Sequence, residues 1–168
     1  MENNAPVLAG IMMGSANDWP VMQKAAEVLR DFNIGYEVRV ISAHRTPALF
    51  AEYAGGLEAR GLRVMIGGAG GAAHLPGVLA AHTILPVLGV PINATPLNGV
   101  DALYAIVQMP RGVPVATFAV GEAGAANAAL FAVAVLAGDN PALAKQLKEF
   151  RAKMAEKIAN APQPSLPQ

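Results

Sequence analysis

The sequence predicts an α/β protein built around a parallel β-sheet. Short apolar runs alternate with longer amphipathic runs five times along the chain, which is the pattern of strands joined by crossover helices. The first apolar run, Val7 to Met13, contains no charged side chain, as is typical of a strand buried on both faces. At 168 residues, of which 54% are hydrophobic, the chain has the size of one domain. We therefore expect residues 1–168 to form a single domain.

Four more strands are predicted after this first one. Each is a short, mostly apolar run next to glycine, proline or small polar residues. They are Tyr36 to Ile41, Arg63 to Ile66, Pro86 to Val90 and Val113 to Phe118.

Six helices are predicted to connect and follow these strands. Asp18 stands at the N-cap position of the first, and Pro47 lies in the first turn of the second, which Gly61 ends. The helices are Trp19 to Phe32, Pro47 to Arg60, Ala72 to Ala81, Asp101 to Gln108, Ala123 to Leu136 and Pro141 to Ile158. Helices on both faces of a parallel sheet give a three-layer, flavodoxin-like or Rossmann-like fold. We expect its core to span 7–158, with the proline-rich tail 161–168 mobile or extended along a neighbour.

Composition excludes several classes of protein. Twelve Lys and Arg balance twelve Asp and Glu, so the chain lacks the positive surplus of a nucleic-acid-binding protein. It has no cysteine, and therefore no disulfide or thiolate metal site. We expect no signal peptide, and the most apolar stretch, Ala123 to Gly138, is shorter than the roughly 18 residues of a membrane span. A cytoplasmic protein that contacts neither membrane nor nucleic acid is expected, and its charged fraction of only 14% favours a homo-oligomer.

The candidate site lies at the carboxyl ends of the predicted strands, where open parallel sheets bind their ligands. Two of the three histidines, His44 and His74, fall in or just after the segments found there. In a chain with so few polar side chains, this clustering is the main indication of function. The segments are Gly14 to Asp18, Ser42 to Pro47, Gly67 to Gly71, Ile92 to Thr95 and Ala119 to Gly121.

These segments favour a phosphorylated ligand. Ser15 and Asn17 lie near a helix start, where hydroxyl, amide and backbone N–H groups can bind an anion. Arg45 is the one permanent cation in the five segments and is suited to a phosphate contact with two hydrogen bonds. Gly70 and Gly71 would let the backbone approach a ligand, although a run of glycines can also serve tight packing alone.

A nicotinamide dinucleotide or ATP is not the expected ligand. The first turn lacks the G-x-G-x-x-G spacing, the Gly67 to Gly71 run does not fit it either, and no lysine is placed for a P-loop.

Four titratable residues remain to be interpreted. Asp18 can accept hydrogen bonds from ribose hydroxyls or can simply cap its helix. His44 is the best general acid/base, unless it is a loop histidine bonded to backbone. His74 is in an apolar setting and is more often structural or pocket-lining than catalytic, and His82 lies late in its helix. The three histidines have no metal-ligand spacing, so no metal is predicted.

The strand-end motifs resemble those of the N5-carboxyaminoimidazole ribonucleotide mutase family (class I PurE). The resemblance covers Val7 to Phe150, and the motifs follow in family order. They are Gly14 to Trp19, Ser42 to Pro47, Gly70 to Gly77, Gln108 to Val115 and the late-helix stretch Ala123 to Leu130.

This resemblance implies an isomerase of de novo purine (IMP) biosynthesis. Such an enzyme moves a carboxylate from the exocyclic nitrogen of an aminoimidazole ribonucleotide to ring carbon 4, without metal or cofactor. It also implies an α/β/α sandwich protomer in an octamer, with active sites at subunit contacts. His44 would be the general acid/base. The substrate-binding residues would be Ser15, Asn17, Asp18, Ser42, Arg45, Gly70, Gly71, Ala72, His74 and Leu75.

Two alternatives stay open. One is a carboxylase that uses free carbon dioxide, a sister activity that tends to carry lysine where this chain has Arg45 and to lack the Gly70 to Gly77 motif. The other is a non-catalytic nucleotide-binding module, which would not need His44 to face its ligand. Asn17 departs from the family pattern, because a second serine is usual at that position.

Overall fold

The computed structural model describes residues 6–163, and these contain one five-stranded sheet. Eleven helices and strands follow one another in βα alternation until the last two helices. In chain order they are β1 Val7–Met13, α1 Trp19–Asp31, β2 Gly35–Val40, α2 Pro47–Gly55, β3 Val64–Gly70, α3 Leu75–Ala80, β4 Val87–Ile92, α4 Val100–Val107, β5 Ala116–Thr117, α5 Glu122–Leu136 and α6 Pro141–Ala159. Single 3₁₀ turns precede α1 at Ala16–Asp18 and follow α5 at Ala137–Asp139.

The strands are parallel and are ordered β2-β1-β3-β4-β5 across the sheet. Side chains alternate along a strand, so neighbouring residues of β1 lie on opposite faces of the sheet. Each face packs against a different set of helices. On one face, Ile11 and Met13 of β1 pack with α1, α5 and α6. On the other face, Met12 packs with α2, α3 and α4. The predicted three-layer α/β fold is confirmed.

Several predicted boundaries are wrong, and most of the errors involve glycine or proline. Helix α2 stops at Gly55, before a second glycine, rather than at Arg60, because adjacent glycines are poor helix formers. Strand β3 continues through Gly70, and helix α3 begins only at Leu75. Strand β5 has two residues instead of six.

Helix α5 consists mostly of alanine and other apolar residues. Together with its 3₁₀ turn it forms the segment Glu122–Asp139, which at 18 residues is long and apolar enough to cross a membrane by length and composition. The stretch considered in the sequence, Ala123 to Gly138, lies inside this segment, which reaches 18 residues by including Glu122 and Asp139. Its small buried residues pack against α1 and the sheet, and a core helix of this kind passes the same test.

Only part of the predicted tail falls within the described residues. Ala161 to Gln163 are exposed and lie outside any helix or strand. The rest of the predicted tail, 164–168, lies outside the described residues.

Candidate active site

A cavity of about 390 Å³ opens at the carboxyl ends of the strands, where the sequence places the candidate site. Eight of its lining residues are among the predicted substrate-binding residues: Ser15, Asn17, Asp18, Ser42, Arg45, Gly70, Ala72 and Leu75. His44, the predicted acid/base, lines it as well. The remaining wall is Gly14, Ala43, Ala69 and Ala94.

The turn after β1 supplies a hydroxyl and a buried carboxylate. The Ser15 hydroxyl accepts a hydrogen bond from the Asn17 backbone N–H at 3.2 Å and so caps the 3₁₀ turn. Asp18 is only 9% exposed, and its side chain makes no capping hydrogen bond to α1. Asp18 therefore occupies the N-cap position, as predicted, but its side chain does not cap the helix.

Burial makes Asp18 a carboxylate with an altered affinity for its proton. Desolvation raises the pKa of Asp18 above its ordinary value, while a hydrogen bond from the Ser15 backbone N–H acts in the opposite direction. A ligand that donated hydrogen bonds to this carboxylate would replace part of the water that it lacks.

Arg45 bridges the turns that follow β1 and β2. Its Nη2 donates to the Gly14 carbonyl oxygen at 2.8 Å, and its Nε lies 3.3 Å from the Ser42 hydroxyl. The Ser42 hydroxyl also accepts the Arg45 backbone N–H at 3.2 Å. The guanidinium is therefore held at the cavity wall, and its Nη1 has no hydrogen-bond partner within residues 6–163.

His44 and His74 meet across the cavity edge, although 30 residues separate them in the sequence. Nε2 of His44 lies 3.0 Å from Nδ1 of His74, and the two rings are nearly perpendicular. His74 thus touches the predicted acid/base but is not part of the cavity wall. His82 lies elsewhere, and its Nδ1 donates to the Val78 carbonyl oxygen at 2.8 Å, near the end of α3.

The two glycines at the end of β3 differ in what they allow. A Cβ at Gly70 would lie 2.5 Å from the Ala94 Cβ, so the absence of a side chain lets the loop after β4 approach the cavity. Gly71 has φ +61° and is not part of the cavity wall, so its role is to permit a left-handed turn. Prediction from sequence omitted Gly14, Ala43, Ala69 and Ala94, although all four lie in the strand-end segments.

The structure gives no metal-binding cluster within the residues that it describes. No three His, Asp or Glu side chains there are grouped in a way that could hold an ion.

Comparison with known proteins decides the family. The sequence profile of the AIR carboxylase family matches residues 8–157, which is nearly the whole chain. The chain belongs to the AIR carboxylase family. The resemblance inferred from the motifs is thereby confirmed.

Members of the AIR carboxylase family with curated names are close in sequence. The N5-carboxyaminoimidazole ribonucleotide mutase of Vibrio cholerae is 54% identical over 156 residues, which are 93% of this chain and 97% of that protein. The mutase of Pseudomonas aeruginosa is 54% identical, covering 94% and 96% of the two chains. The mutase of Escherichia coli K12 is 50% identical, covering 96% and 95%.

A solved structure from the family has the same fold. The crystal structure of Treponema denticola PurE matches with a TM-score of 0.82 and 28% sequence identity, and it covers 90% of this chain and 94% of that one. The sheet and helices described here are therefore those of the AIR carboxylase family.

Proposed function

We propose that this protein is an N5-carboxyaminoimidazole ribonucleotide mutase that acts in de novo purine biosynthesis. One observation carries the proposal: a histidine, a fixed arginine and a buried aspartate line a single cavity at the strand ends. Relatives that are 50–54% identical over more than nine-tenths of both chains bear this name. The substrate is then 5-carboxyamino-imidazole ribonucleotide, and the product is its isomer carboxylated at ring carbon 4.

The polar part of the cavity lining suits the ribose phosphate. Arg45 offers the phosphate its Nη1, which has no hydrogen-bond partner among the described residues, and the Ser15 hydroxyl and the Asn17 side-chain amide supply further donors. The Asp18 carboxylate is placed to accept the ribose hydroxyls. At the position where the family usually has serine, Asn17 keeps a hydrogen-bond donor, which lies on a longer side chain.

His44 supplies the proton chemistry. Its imidazolium donates a proton to the exocyclic nitrogen of the carbamate, the nitrogen–carbon bond breaks, and carbon dioxide and the neutral aminoimidazole form. Ring carbon 4 then attacks the carbon dioxide, and the proton on that carbon returns to His44. The sum is an isomerisation, so no co-reactant is consumed.

The apolar part of the cavity lining suits the intermediate. Ala69, Ala72, Leu75 and Ala94 line the same cavity as His44 and present small or aliphatic groups to it. Carbon dioxide is neutral and apolar, so such a wall can hold it near carbon 4 without competing hydrogen bonds. Positioning of this kind supplies much of the rate enhancement.

The sister activity, carboxylation with free carbon dioxide, is the second candidate, because the family profile itself is described as AIR carboxylase. Both reactions would use the same cavity. A test offers the purified protein the carbamate nucleotide without bicarbonate, and separately the aminoimidazole nucleotide with bicarbonate. We expect rapid conversion only of the first, and conversion of the second alone would identify a carboxylase. Binding without conversion of either would identify a non-catalytic module.

We also propose that the chain works as one catalytic domain in a cytoplasmic homo-octamer. Its charged fraction is 14%, and one face of α4 carries Val100, Tyr104 and Val107 exposed to solvent in the single chain. Burial between subunits would remove this apolar surface from water.

A further inference from the structure

We propose that His74 is a positioning residue that fixes the tautomer and the orientation of the His44 ring. The inference rests on the proposed function, because it assigns the proton transfers to His44. It replaces the direct substrate contact that the sequence predicts for His74, since His74 meets His44 and not the cavity.

The contact between the two rings has the geometry of a hydrogen bond. The separation of 3.0 Å between Nε2 of His44 and Nδ1 of His74 is within the normal range for ring nitrogens. The planes are 85° apart with centroids at 5.1 Å, so the rings meet edge to face and not as a stack. No other side-chain hydrogen bond involves either ring in the part of the chain that the structure describes.

The fold holds His74 more firmly than His44. His74 stands at the start of α3, where its backbone N–H donates to the Ala72 carbonyl and its carbonyl accepts from Val78. Leu75 and Leu79 anchor α3 in the core. His44 lies in the turn after β2, so a group on a helix orients a ring carried by a loop.

The chemistry sets the direction of the hydrogen bond. When His44 acts as an acid, both of its ring nitrogens carry protons, so its Nε2–H can only donate. His74 must therefore accept at Nδ1 and keep its own proton on Nε2. The second nitrogen of His44, Nδ1, is left to exchange its proton with the substrate.

This arrangement suits a reaction with two opposite proton transfers. After His44 gives up the Nδ1 proton it is already the Nε2–H tautomer, and the hydrogen bond to His74 is unchanged. The same Nδ1 is then ready to take the proton from carbon 4. Without His74, His44 would populate other ring orientations and the other neutral tautomer, and only a fraction of molecules would be competent.

Two substitutions at His74 separate positioning from other roles. His74→Leu removes the acceptor, and we expect kcat to fall on the order of 10²-fold while KM changes little, because misplacement of a catalytic group has costs of that order. In His74→Asn, the amide oxygen occupies nearly the position of Nδ1 and can accept the same proton. The kcat of that variant should be at least about a tenth of the kcat of the unaltered protein.

His82→Asn is the matched control, since His82 follows α3, touches neither His44 nor the cavity, and has a ring whose one hydrogen bond among the described residues is to the Val78 carbonyl. Its kinetics should equal those of the unaltered protein. Two kinetic outcomes would overturn the proposal: an unchanged kcat in His74→Leu, or a rise in KM with constant kcat in both His74 variants, which would indicate a substrate contact.

A second readout needs no substrate and separates this proposal from the proposed function. The chain has three histidines, so labelling with ¹⁵N-histidine yields three ring spectra. In mildly alkaline buffer, spectra of the sedimented protein should show His44 as a single Nε2–H tautomer, and His74→Leu should convert it to a mixture. If the protein turned over no nucleotide but kept this signature, only the assigned activity would fail. A tautomer mixture in the unaltered protein would overturn the positioning role.

Discussion

The polar side chains of the site are held in place by hydrogen bonds made within the protein. Arg45 is held by the Gly14 carbonyl and the Ser42 hydroxyl, and Ser15 by the N–H of Asn17. Such anchors orient a side chain before the ligand arrives, so less conformational entropy is lost on binding.

Replacing His44 should remove chemistry and leave binding. In His44→Asn we expect turnover at saturating substrate to fall by about 10² to 10⁴-fold, the usual contribution of a positioned acid/base, while the protein still folds and binds nucleotide. Steady-state kinetics and titration calorimetry measure the two effects, with His82→Asn as the control. Near-normal turnover would show that another group carries the proton.

Replacing Arg45 should weaken nucleotide binding. Loss of a charge-assisted phosphate contact is expected to reduce affinity by about 1.5–3 kcal/mol, as measured by titration calorimetry. Arg30→Ala removes the same charge from an exposed position on α1 and should leave affinity unchanged. Equal affinity in both variants would mean that Arg45 does not contact the phosphate.

Replacing Asp18 should affect affinity and stability in opposite directions. Asp18→Asn keeps the shape but loses the charge that accepts ribose hydroxyls, so affinity should fall. Because burial raises the pKa of Asp18, its ionised form disfavours the folded state, and the variant should unfold at a higher temperature at neutral pH.

The pH dependence of that stability gain has a definite sign. Below the unfolded-state pKa of about 3.9, Asp18 is protonated in both states and its ionisation costs nothing. As pH rises through the higher pKa of the folded state, the unaltered protein loses stability relative to Asp18→Asn. Thermal melts across this range should show the gap opening and then levelling off, and a gap that narrowed with rising pH would contradict the prediction.

Among the elements, β3 depends most on small residues. Gly68 leaves room for the Met22 side chain of α1, and Gly70 leaves room for Ala94. Strand β3 therefore lets α1 and the loop after β4 lie close to the sheet, and it brings the end of the strand to the cavity. The glycines serve packing as well as the site.

Filling the space at Gly70 should disturb both the packing of β3 and the cavity. In Gly70→Ala the new methyl group would lie 2.5 Å from the Ala94 Cβ, a position fixed by backbone, so the loop must move. We expect a loss of about 1–3 kcal/mol in the free energy of unfolding, measured by urea denaturation, together with weaker nucleotide binding.

Gly55→Ala is the matched control, because nothing lies within 4 Å of a Cβ at Gly55, at the end of α2. That variant should be as stable as the unaltered protein or slightly more so. Equal stability of the two alanine variants would show that the Ala94 loop yields freely.

The elements also show what sequence can predict. The predicted ends of strand β1 agree with the structure, because a short uninterrupted apolar run in this fold indicates a strand buried on both faces. Gly67 to Gly70 were predicted as a loop, because glycine has low intrinsic strand preference and only packing against α1 and α3 makes these residues extended. At the site, strand ends located His44 and Arg45, but nothing local indicates that His74 meets His44, since that contact depends on where α3 starts.

At the scale of the whole molecule, the protein has more apolar surface than a single chain can bury. Tyr104 is 62% exposed on α4, and Phe131 is 47% exposed on α5. Isolated exposed side chains are ordinary, but here they accompany a net charge of zero, which gives separate chains little mutual repulsion.

The assembled mass tests the oligomer directly. Light scattering at micromolar concentration should give about eight times the chain mass of 17.3 kDa. A mass near that of one chain would contradict any oligomer, and a stable smaller assembly would contradict the octamer.

The place of α5 in the chain affects how the protein emerges from the ribosome. All five strands are synthesised before Glu122, and α2, α3 and α4 have by then covered one face of the sheet. The other face has only α1 until α5 delivers its alanines and Val133. For on the order of seconds of translation, the nascent chain therefore carries a complete but half-covered sheet, and a chaperone has that interval in which to shield it.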